Sequence, residues 1–63
     1  MMTIAHTRLY SRAVAAATNE LHSAETALAR GEDRESLTRH LREAIRHCGD
    51  ALDVLRADEI FNG

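Results

Sequence analysis

The feature that most constrains this chain is a single break, Arg30-Gly31-Glu32-Asp33, between two long runs of helical periodicity that contain no proline. Without proline, each run keeps every backbone donor needed for an unbroken helix, while glycine is the residue that most readily takes the left-handed conformation at a helix end. The expected fold is therefore all-α, an antiparallel two-helix hairpin forming one domain. Its first helix covers about 4–30, a turn 31–33, a second helix about 34–56, and a short tail 57–63.

Tyr10, Val14, Ala17, Leu21, Ala24 and Leu28 recur at steps of four and three, a heptad stripe along the first run. The alanine-rich stretch 13–17 adds helix propensity, and the small side chains of Ala17 and Ala24 let a neighbouring helix come close. Gly31 follows the last stripe residue and Arg30, whose charge suits a helix C-terminus, so it is read as the left-handed cap. Asp33 is the N-cap candidate for the second helix, with Ser36 competing, and Glu35 complements the positive end of its dipole.

The second stripe is Leu37, Leu41, Ala44, Cys48, Ala51 and Leu55, widened by Ile45 and Leu52 into a face broad enough for a bundle. The predicted helix-packing interface is thus Tyr10, Val14, Leu21 and Leu28 from the first helix. The second contributes Leu37, Leu41, Ala44, Ile45, Cys48, Leu52 and Leu55. A short turn should bring Leu28 near Leu37, Leu21 near Ala44 or Ile45, and Tyr10 near Leu55. One side of that face stays uncovered in a lone hairpin, which predicts a helical bundle completed by self-association or by docking onto helices outside this chain.

Length points the same way. At 63 residues the core is thin, and chains of this size rarely gain more than roughly 3–5 kcal/mol from it. A lone Cys48 cannot form an intrachain disulfide, so a homo-oligomer or the remainder of a larger helical domain is the expected partner. Net charge is −2 with a pI of about 6.0, which disfavours direct nucleic-acid binding; all eight basic residues are arginine, a feature assigned to codon usage. The amino-terminal residues lack the apolar stretch of a signal peptide, and no run approaches the roughly 18 apolar residues of a membrane span. A cytoplasmic, reducing location is expected.

No catalytic, cofactor-binding or metal-binding set emerges from the residues. Glu35, Arg39, Glu43 and His47, with Arg46 and Asp50, fall at i,i+4 spacings on a solvated face. His40, Glu43 and His47 share one side of the second helix, but the histidines lie about 10 Å apart along it, too far for one ion. Cys48 sits on the stripe as a small apolar group, with His47 turned about 100 degrees away. Isolated glycines and the absence of lysine exclude a P-loop.

Glu35-Ser36-Leu37, then Leu41-Arg42-Glu43-Ala44-Ile45, Cys48-Gly49-Asp50 and Ala57-Asp58-Glu59-Ile60 together resemble the carboxy-terminal helical segment of the tRNA-modification GTPases called MnmE or TrmE. The resemblance extends in kind to the alanine- and leucine-rich first helix and its glycine turn, with Leu41 to Ala44 and Gly49 as its more specific part. Cys48 stands where the family has leucine and Asp53 where it has a second glycine. The family's terminal F-C-I-G-K would follow Gly63, so Cys48 is not the counterpart of the cysteine assigned to its catalytic site. What the resemblance implies is a structural segment of an enzyme that modifies the tRNA wobble uridine with a flavin-dependent partner, GTP hydrolysis residing in other domains. The alternative is a stand-alone hairpin that dimerises into a four-helix bundle as a small adaptor or regulator. A third reading, a nucleic-acid-binding regulator using Arg39, Arg42 and Arg46, predicts a steep salt dependence.

Overall fold

The structure is a computed structural model that describes residues 2–62. Helix α1 spans Ile4–Ala29 and α2 spans Arg34–Asn62; they pack side by side as an antiparallel hairpin 46 Å long. Thr3 starts α1 as its N-cap. Its hydroxyl accepts the His6 N–H at 3.1 Å, and its carbonyl accepts both the N–H and the hydroxyl of Thr7, at 2.9 and 2.8 Å.

The expected turn chemistry is present. Gly31 adopts φ 75°, its N–H donates to the Leu28 carbonyl at 3.1 Å, and the Glu32 N–H reaches back to Ala27 at 3.0 Å. That pair of bonds is a Schellman motif, which satisfies carbonyls left open by the end of α1. Asp33 then caps α2, its carboxylate accepting the Ser36 N–H at 2.9 Å, while Ser36 donates its hydroxyl to Glu32 at 2.7 Å and does not serve as the cap itself.

A Cβ built on Gly31 meets no atom within 4 Å, so a side chain there would cost only backbone strain. A β-branched residue in the left-handed region costs about 1–2 kcal/mol. We expect Gly31→Val to lower the melting temperature by several degrees and Gly31→Asn to recover most of the loss. Equal melting of all three proteins would refute the strain argument.

Two expectations are corrected. The segment 57–62, read as a tail, continues α2, and residue 63 lies outside the described residues. Nothing between Ala57 and Asn62 breaks a helix, and Asp58 ties this stretch to the start of α1.

The second correction concerns the helix–helix contact, which runs one residue back from the expected stripe. On α1 the seam follows His6, Tyr10, Ala13, Ala17, Glu20, Ala24 and Ala27; on α2 it follows Leu37, His40, Ala44, His47, Ala51, Val54 and Asp58. Ala13, Ala17, Ala27, Ala44 and Ala51 are its buried apolar residues, and none of the described large side chains is fully enclosed. Of the predicted interface, Ala44 is buried and Tyr10 and Leu37 are half-buried. Val14, Leu21, Leu28, Leu41, Ile45, Cys48, Leu52 and Leu55 are exposed, so the buried centre of the contact lies to one side of them.

The reasons are size and pairing. Side chains at the contact set how near two helix axes can lie, between about 8 and 10 Å, and alanine permits the near limit. Each helix carries two adjacent heptad tracks sharing one column: Tyr10, Ala17 and Ala24 on α1, and Leu37, Ala44 and Ala51 on α2. On α1 the hairpin closes on the track that carries Ala13 and Ala27 in place of Val14 and Leu28, on α2 it closes on the track whose His40 and Asp58 find partners across the helices, and the leucine track is left outside.

Candidate docking face

Rotation of the seam places Val14, Leu21 and Leu28 of α1 on the same side of the hairpin as Leu41, Cys48 and Leu55 of α2, with Ile45 and Leu52 beyond them. At the turn end the two helices jointly line an apolar groove formed by Leu21, Ala24, Leu28, Leu37 and Leu41, with Glu25 at its rim. Leu28 and Leu37 therefore meet the same groove, as the short turn requires. Exposure is substantial: 68% for Leu28, 70% for Ile45 and 61% for Leu52. Scattered exposed leucines are ordinary, but a continuous aliphatic track along both helices is the kind of patch that marks an interaction surface. The opposite groove differs in kind, since Arg12, His47 and Asp50 join Leu9, Ala13, Ala16 and Val54 in lining it.

The polar groups on the seam hold the hairpin in register. His6 Nδ1 lies 2.8 Å from Asp58 Oδ1, which also accepts the Thr3 N–H at 3.2 Å. Phe61 lies beside the same imidazole, ring centroids 5.9 Å apart and tilted by 60°. Further toward the turn, His40 Nδ1 meets Glu20 Oε2 across the helices at 3.0 Å. No buried side-chain nitrogen or oxygen among the described residues lacks a hydrogen-bond partner. These cross-helix pairs were missed from sequence. Their signal was position: His6, Glu20, His40 and Asp58 fall on the same heptad track as the buried alanines.

The histidines weighed above take separate partners. His40 is directed to Glu20, while His47 stands 4.0 Å from Glu43 and 3.8 Å from Asp50. Among the described residues no group of three histidine, cysteine or acidic side chains is placed to hold a metal ion. Cys48 is exposed on the outer track, and His47 is half-buried on the seam track. On the solvent side Arg46 donates to Glu43 Oε2 through Nε at 3.1 Å and Nη2 at 2.7 Å. This hydrogen bond, reinforced by the opposite charges, holds the Glu43 carboxyl below its ordinary range and pushes the Arg46 guanidinium up. Both groups are solvated, so the pair is a minor contributor to stability. It also offsets Arg46, one of the three arginines on which a nucleic-acid surface would rest.

Compared with the models of known protein families, with curated proteins and with solved structures, the chain finds no match. Among the described residues no helix is long and apolar enough to cross a membrane.

Proposed function

We propose that this chain works as a helix-docking module with a structural and interaction role, contributing two helices to a helical bundle. The observation that carries this reading is the division of labour on each helix: alanines and polar pairs close the hairpin, while the leucine track is left facing outward. An alanine seam removes little apolar surface from water, and burial of leucine and isoleucine side chains is the larger reserve of stabilisation, at about 1.5–3 kcal/mol each. The face thus needs cover. In the segment of the tRNA-modification GTPases that this chain resembles, the cover would be the remaining helices of the helical domain; in a stand-alone module it would be another protein surface.

The test is independent of what covers the face. The isolated chain and the double variant Leu41→Asp/Leu52→Asp are compared for helicity, melting and binding of the dye 1-anilinonaphthalene-8-sulfonate. A docking face predicts that the parent chain either binds the dye or associates, and that the double variant loses both. A parent that is a cooperatively melting monomer with no dye binding would mean that the leucine track is simply solvated.

A further inference from the structure

Resting on the docking reading, we propose that the partner is a second copy of this chain, related by a two-fold axis that passes Cys48, with the two α2 helices antiparallel across the interface. The result is a four-helix assembly whose central contact is made by the outer tracks of the two α2 helices.

Three observations carry it. The first is extent. The apolar residues of the face run from Val14 to Leu28 on α1 and from Leu41 to Leu55 on α2, about 21 Å along each helix, a length that the α2 of a second copy matches.

The second is the spacing along α2. Cys48 is the midpoint of Arg34–Asn62, and Leu41 and Leu55 lie seven residues to either side of it, about 10 Å each way. Ile45 is three residues before it and Leu52 four after. Turning one α2 end for end about Cys48 therefore sets Leu41 against Leu55 of the second copy and Ile45 against Leu52. The small thiol stands where the two helices come nearest. An isologous contact must be self-complementary in this way, because each residue meets its counterpart's partner.

The third is charge. Arg34 heads the column of Leu41, Cys48 and Leu55, and Glu59 ends the column of Ile45 and Leu52. Both are exposed. The antiparallel arrangement brings Arg34 of one copy to Glu59 of the other at both ends of the interface. A parallel pairing of the same columns would set like charges together.

Sedimentation equilibrium over a concentration series is the first measurement, with helicity followed on the same samples. A mass twice the 7.0 kDa of the chain is expected, falling together with helicity on dilution. Cys48, the single cysteine, reports the axis: a short bis-maleimide linker should capture the folded dimer as a covalent pair, well above the yield from the chain in denaturant. Leu52→Glu should raise the dissociation constant about a hundredfold, since two leucines are lost per dimer. Arg34→Glu should raise it about fivefold, and adding Glu59→Arg to the same chain should restore it.

A dimer that the linker at Cys48 cannot capture, or one that the charge swap fails to rescue, would overturn the axis. A dye-binding monomer would overturn self-association while leaving the docking role to another chain. A compact monomer without dye binding would remove both.

Discussion

Ala44→Leu is expected to destabilise this protein by about 2 kcal/mol, a fall in melting temperature on the order of 10 °C. Pattern alone argues the reverse. Leucine is nearly as good a helix former as alanine and adds apolar surface on a heptad position. Ala44, however, is only 4% exposed, in a seam whose other buried apolar residues are alanines, so three further carbons must force the helices apart or take a strained rotamer. Ile45→Leu, one residue on, provides the contrast, because Ile45 is 70% exposed and a leucine there keeps the size and character of the outer track. Thermal melts by circular dichroism decide the matter. An Ala44→Leu protein that melts at or above the parent would mean that the helices do not approach closely and that the alanine seam is not the contact.

Asp58→Ala should cost a similar amount, about 2 kcal/mol, for a different reason. Its carboxylate, in a residue 8% exposed, accepts from the Thr3 N–H and lies 2.8 Å from His6 Nδ1, joining the first turn of α1 to the last turns of α2. Alanine removes the acceptor and leaves those donors short of a partner in a half-buried place. The loss should be localised as well as global: amide hydrogen exchange should accelerate over residues 4–8 and 57–62 before the centre of the hairpin responds. Asp58→Asn, which retains an acceptor, should recover part of the loss. A cycle with His6→Ala should show coupling above about 0.5 kcal/mol, as for groups in one hydrogen-bonded network. Additive effects, with exchange unchanged at both ends, would show that Asp58 is not the latch between the termini.

The two substitutions also bear on how the face is presented. Each acts on the alanine and polar seam, whereas the association tests act on the leucine track. The seam sets the relative position of α1 and α2, and thereby whether Leu21 and Leu28 lie beside Leu37 and Leu41 in one groove. A loosened seam should therefore weaken docking as well as lower stability, even though neither Ala44 nor Asp58 lines that groove.

What the sequence by itself determined was everything decided locally. Gly31 as the left-handed cap, Asp33 as the N-cap and the antiparallel hairpin between two proline-free helices all follow from chemistry within a few residues of the turn. The continuation of α2 beyond residue 56 was less legible, because its anchor is the contact of Asp58 with Thr3 and His6, more than fifty positions away in the chain. Which track closes the hairpin was decided only by the tertiary structure. Hydrophobicity ranks Val14, Leu21 and Leu41 above Ala13, Glu20 and His40, and a periodicity argument follows that ranking. Packing follows size and pairing instead: alanines let the axes approach, and His6–Asp58 and His40–Glu20 satisfy one another at that distance. Both tracks have the same heptad period, so period could identify two helices that pack, and only the close approach of their backbones could say on which side.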